Sequence, residues 1–122
     1  MHVAKDLVAA SATPMVLGIL LQGESYGYAI LKRVNDMSAG ELAWTDGLLY
    51  PLLHRLERAG SIEATWRTPP GGRRRKYYRI TAHGRAELAE QRRQWAAVDS
   101  ALRNVWRLAV ESRPDVALSQ EA

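Results

Sequence analysis

Thr45-Asp46-Gly47-Leu48-Leu49-Tyr50-Pro51-Leu52-Leu53-His54-Arg55-Leu56 is the stretch on which the reading of this 122-residue chain turns. Leu48, Leu49, Leu52, Leu53 and Leu56 recur at steps of three and four, which places them on one stripe of a helix. Thr45 suits the N-cap, and Asp46 suits the positive end of the helix dipole. Pro51 sits late, near the second turn, and calls for a local distortion. Gly60 is a natural stop. Ser61 to Trp66 then alternates polar and apolar residues as a strand does, and Thr68-Pro69-Pro70-Gly71-Gly72 is a turn by composition. Lys76-Tyr77-Tyr78-Arg79-Ile80 is β-prone and reads as the returning strand of a hairpin.

Upstream, Leu7, Val8, Met15, Val16, Ile19 and Leu20 also follow helical spacing. Pro14 predicts a break there, with a short lead segment before it and the first core helix after it. Ser25 is the expected N-cap of a second helix with Ile30, Leu31 and Val34 on its core face, closed by Ser38-Ala39-Gly40. Downstream, Thr81 caps a long helix expected over residues 82 to 112, and Pro114 follows. The expected organisation is a first domain over 1–81, a C-terminal helix over 82–113, and a disordered tail over 114–122. The fold class is mainly α with a small β-hairpin: three short helices, a hairpin and another helix, the order of a winged helix-turn-helix.

Composition narrows the chemistry. There is no cysteine, which removes disulfides and thiol chemistry and suits a reducing, cytoplasmic setting. No apolar run approaches the roughly 18 residues of a membrane span, and the N-terminus lacks the order of a signal peptide. His2, His54 and His83 are scattered without spaced acidic partners, so neither a metal site nor an enzyme is expected. The net charge is +4 and it is concentrated, because Arg73-Arg74-Arg75-Lys76 directly follows the Gly71-Gly72 turn. Glycines let a backbone approach a phosphate and the cations supply charge, so the hairpin tip is expected on DNA. The start of the leucine helix, with Thr45, Gly47 and Tyr50, offers free backbone N–H groups and a phenol to phosphate, and Arg55 lies a turn on. The alternative is a winged-helix module that binds protein and never touches DNA.

Four blocks, in order over about residues 15 to 90, resemble the PadR-like transcriptional regulators. Leu17-Gly18-Ile19-Leu20-Leu21 with Ser25-Tyr26-Gly27-Tyr28 is similar to that family's first-helix ending and "HGY" start, with Tyr26 in place of the common His. Gly47-Leu48-Leu49-Tyr50-Pro51-Leu52-Leu53 with Leu56-Glu57 resembles "GTLYPxLxRLE", with Leu48 where the family usually has Thr. Gly71 to Tyr78 resembles the wing motif, and Ile80-Thr81, Gly84-Arg85 and Leu88 resemble "LTxxGRxxL". The resemblance implies a homodimeric repressor of an inverted-repeat operator on double-stranded DNA, often released by a small molecule. By that likeness Tyr28, Gly47, Tyr50 and the wing cations sit at the DNA.

Leu88, Trp95, Leu102 and Ala109 are seven apart, with Val98 and Val105 between them. This heptad-like seam predicts helix pairing between subunits. Trp95 to Asp99 also resembles a short-helix PadR subgroup in which a Trp and an Asp face a channel between subunits and hold planar aromatic compounds. Indole stacks on flat rings and attracts cations, Asp99 would add a counter-charge, and Ala10 and Pro14 would line the opposite wall. The competing reading pairs Asp99 with Arg103 on the helix surface. No cofactor is expected.

Overall fold

Leucine stripes on short helices need a common apolar surface, and the chain builds it from elements that are distant in sequence. A computed structural model describes residues 2–111. The elements are α1 (Lys5–Leu21), β1 (Ser25–Tyr26), α2 (Gly27–Met37), α3 (Asp46–Arg58), β2 (Ile62–Arg67), β3 (Arg75–Ile80) and α4 (Ala82–Glu111). The strands form one antiparallel sheet in the order β1-β3-β2. Val16 and Leu17 of α1, Ile30 of α2, Leu49 and Leu53 of α3 and Ile62 of β2 are almost wholly buried in one cluster. This is the winged-helix arrangement, followed by a C-terminal helix. The expected tail over 114–122 lies outside the described residues.

Two local expectations are corrected. α1 runs unbroken through Pro14. A proline inside a helix costs about 3 kcal/mol, whereas each fully buried Val, Leu or Ile contributes roughly 1.5–3 kcal/mol. Val8 and Ala12 before the proline and Val16, Leu17 and Leu20 after it all enter the same core, so continuity wins. Ser25 does not cap α2. Its backbone and that of Tyr26 pair with Tyr78 and Tyr77 on the free edge of β3, and α2 begins at Gly27 with Tyr26 in the capping position.

The connections are closed by specific bonds. Asn35 of α2 clamps the following loop, its Nδ2 donating to the Trp44 carbonyl at 3.0 Å and its Oδ1 accepting from the Trp44 amide at 2.9 Å. At the end of α3, Gly60 adopts φ +80°, the Ser61 amide donates to the Leu56 carbonyl and the Gly60 amide to that of Glu57. This is a Schellman stop. Thr81 caps α4, its Oγ1 accepting from the Gly84 amide at 3.1 Å and donating to the Gly60 carbonyl at 2.6 Å. The buried Ser61 hydroxyl donates to Glu87 Oε1 at 2.6 Å.

The chain divides into two units after Ala89, so the first turns of α4 belong with the winged-helix unit. Within that unit Leu88, read from heptad spacing as the first residue of an intersubunit seam, is 4% exposed in its own chain's core. Gly84 allows this: a Cβ there would overlap the Ser61 carbonyl oxygen and stand 2.8 Å from Ile80 Cγ1. The second unit, from Glu90, is a helix with Trp95 half-buried and Val98, Leu102, Val105 and Ala109 exposed on the single chain.

Gly84→Ala is expected to lower stability by about 1–3 kcal/mol, the usual range for overpacking against backbone. Gly18→Ala in α1, where nothing lies within 4 Å of the added Cβ, is expected to raise it by about 0.5–1 kcal/mol. Urea denaturation of both variants checks the pair of signs.

Candidate nucleic-acid interface

Because Leu49, Leu52, Leu53 and Leu56 take the inner face of α3, Tyr50 and His54, one turn apart, are turned outward. Tyr28 is the second residue of α2 and is 64% exposed. On the sheet, residues alternate between faces. Trp66, Ala64 and Ile62 of β2 therefore share a face with their partners Lys76, Tyr78 and Ile80 of β3. These elements enclose a cleft of about 630 Å³ lined by Tyr26, Gly27, Tyr28, Tyr50, His54, Trp66, Arg75, Lys76 and Tyr78. A close approach makes it: the Tyr50 ring lies over Gly27, where a Cβ would fall 2.5 Å from the phenol oxygen.

The hairpin tip is a turn of the type II pattern. Pro70 precedes Gly71 at φ +69°, and the Gly72 amide donates to the Pro69 carbonyl at 3.0 Å. Arg73 and Arg74 leave this turn and Arg75 opens β3. None of the three is ion-paired to a carboxylate among the described residues. Two of them rest on aromatic rings instead, Arg74 at 4.7 Å from the Trp66 centroid and Arg75 at 4.4 Å from that of Tyr26. On the same sheet Arg67 stacks on Tyr77 at 4.3 Å and pairs with Glu24. A guanidinium on a ring keeps its charge while giving up side-chain freedom, so less ordering is left to do when an anion arrives.

Lys76 differs: its Nζ donates to Glu57 Oε1 of α3 at 3.1 Å. That hydrogen bond is the largest influence raising the ammonium above the usual lysine range. The neighbouring Tyr78 phenol is also raised, chiefly by burial.

Of the residues singled out in the sequence, Tyr28, Tyr50, Arg75 and Lys76 meet at this cleft. Thr45 and Gly47 are exposed at the start of α3, and Arg73 and Arg74 are exposed at the tip. Arg55 turns the other way, its guanidinium 3.5 Å from Thr13 Oγ1 of α1. His54 lines the cleft in its place, because one residue along a helix rotates the side chain by about a quarter turn. Trp66 and Gly27 line the cleft as well, beyond the residues that the sequence singles out. The alternation Ile62, Ala64, Trp66 was the signal for the first, and Tyr-Gly-Tyr at 26–28 for the second.

In the remaining proposed site, Asp99 accepts from Arg103 Nε at 2.9 Å, with both side chains exposed. That is the surface pairing weighed against a ligand role. Ala10 is exposed on α1 and Pro14 half-buried. Among the described residues no group of three or more His, Cys, Asp or Glu is gathered for a metal, and no helix is long and apolar enough to cross a membrane.

A family model described as the transcriptional regulator PadR-like family matches residues 16–90. An uncharacterized protein of Lysinibacillus sphaericus is 32% identical over 79% of this chain and 88% of its own length. The transcriptional regulator Rv3488 of Mycobacterium tuberculosis is 51% identical over 38% of this chain and 43% of its own. Among solved structures, a PadR-like transcriptional regulator from Bacillus cereus superposes with TM-score 0.73 at 31% identity, covering 83% of this chain and 96% of that one.

Gly27→Ala is expected to push the Tyr50 ring outward while changing stability by less than about 1 kcal/mol, because an exposed side-chain end yields more readily than backbone. Shifted Tyr50 ring resonances at an unchanged denaturation midpoint are the signature.

Proposed function

The chain belongs to the PadR-like family of transcriptional regulators, and from that premise we propose that it is a dimeric repressor gripping an inverted-repeat operator with α3 in the major groove and the hairpin on the flanking backbone. The family's members are transcriptional regulators, not enzymes. One observation carries the reading: of three exposed arginines at the hairpin tip and the start of β3, two are held on aromatic rings and one, Arg75, lines the cleft with Tyr50 and His54 of α3, and none is ion-paired to a carboxylate among the described residues. Such charge favours a polyanion. In this reading Arg73, Arg74 and Arg75 meet phosphates, Tyr28 and Tyr50 donate hydroxyls to the backbone, and Thr45 and Gly47 present the helix start. His54 is the α3 side chain best placed for a base edge. A cytoplasmic location follows from the role.

Dimerisation is assigned to the second unit. Val98, Leu102 and Val105 form an apolar stripe at helical spacing, 42–61% exposed on the single chain, with Trp106 beside it at 62%. The ion pairs Glu90–Arg93, Asp99–Arg103 and Arg107–Glu111 follow the same helix. Pairs this exposed contribute little and lie within one helix, so burial of the stripe supplies the association energy. A planar aromatic effector at Trp95 and Asp99 is the further element of this reading. It requires the Asp99–Arg103 pair to open.

Binding to DNA from directly upstream of the protein's own coding region, titrated over a range of salt with and without planar aromatic compounds, tests the reading. Replacing Arg73 and Arg74 by Ala is expected to weaken binding to all duplexes alike and to flatten the slope of log K against log salt by about 1.8 units, if both meet phosphates. A wild-type protein that binds no duplex in a salt-dependent way would instead support the protein-interaction reading. Light scattering at micromolar concentration is expected to give twice the monomer mass of 13.6 kDa, and Leu102→Asp to give the monomer mass.

A further inference from the structure

Lys76 closes the basic run in sequence but not in space. It and Glu57 are 27% and 37% exposed, whereas both partners of every other ion pair among the described residues are at least 44% exposed. The ammonium also stands 5.5 Å from the ring centre of Tyr78, itself 3% exposed. An ammonium that meets a phosphate must surrender its carboxylate or carry that negative charge toward the polyanion, and both are costly.

The placement of the pair gives it another use. The hairpin is anchored at its base, where Ile62 and Ile80 are buried, and at its middle, where Tyr78 packs opposite Ala64. Beyond that level Trp66, Arg67 and Arg75 are exposed. Lys76 lies opposite Trp66, at the first cross-strand pair outside the core on that face of the sheet. Glu57 is in the last turn of α3. We infer that Lys76 is a positioning residue: with Glu57 it braces the outer half of the hairpin to α3, fixing the spacing between the arginines and the helix, and it does not itself neutralise a phosphate. This rests on the DNA-binding reading above.

Glu57→Gln separates the alternatives by sign. If only charge mattered, removing a carboxylate beside a polyanion would tighten binding. Loss of a brace weakens it. The expected result is about three- to fivefold weaker operator binding, the scale of a partly sheltered ion pair. The salt slope and the thermal midpoint should stay as in wild type. Lys76→Met is expected to weaken binding similarly, again at unchanged slope. Glu57→Gln binding as tightly as wild type or tighter, or Lys76→Met flattening the slope by about one unit, would overturn the inference and leave the DNA-binding reading intact. Should Lys76→Met not fold, the near-isosteric Glu57→Gln decides alone. Wild-type protein without salt-dependent duplex binding would remove both.

Discussion

The burial of one face of α3 is the constraint on which the other features depend. Leu49, Leu52, Leu53 and Leu56 fix both the axis and the rotation of this helix against α1, α2 and β2. A rotation by one residue would bury Tyr50 or His54 and expose a leucine, at a cost of roughly 1.5–3 kcal/mol for each large apolar side chain returned to water. The outward face of α3 is therefore determined by its inward one. The same constraint explains why Pro51 is tolerated: it is exposed, and its four leucine neighbours hold the helix in place.

Polar groups do a different kind of work. The Asn35 clamp on Trp44, the Thr81 bonds to Gly60 and Gly84, and the Ser61–Glu87 bond lie where the chain changes direction. Each satisfies a polar group at a bend, and where that group is sheltered from water leaving it unpaired is costly. The apolar cluster holds the elements together, and these bonds fix the angles at which they meet. The indole N–H of the buried Trp44 has no hydrogen-bond partner among the described residues. It is a small penalty set against a large aromatic surface removed from water.

The hairpin combines aromatic rings with cations in a way that a count of charges hides. Arg67 and Arg75 face each other across the strands, a repulsive arrangement in isolation. Each instead lies on its own tyrosine, Tyr77 and Tyr26, and those two rings meet edge to face at 5.5 Å. The two-residue strand β1 brings Tyr26 to this place, so an element too short to show any periodicity carries one wall of the cleft. Four consecutive cations in sequence thus become two kinds in space: arginines on rings or free at the tip, and a lysine tied to α3.

Residue spacing alone settled the types of the helices and of the two hairpin strands, and most of their limits. The leucine stripe, the alternation of β2, the Pro-Gly turn and the Thr81 cap are all local, because helix, strand and turn preferences act within a few residues. The resemblance carried by Gly47–Glu57 and Gly71–Tyr78 likewise pointed to the family. The continuity of α1 through Pro14, the strand at Ser25–Tyr26, the burial of Leu88, the turning of Arg55 toward α1 and the pairing of Lys76 with Glu57 were decided only by the tertiary structure. They depend on partners distant in sequence, such as Tyr78 for Ser25, Thr13 for Arg55 and Glu57 for Lys76, and no local preference encodes which distant group will stand opposite once the core has closed.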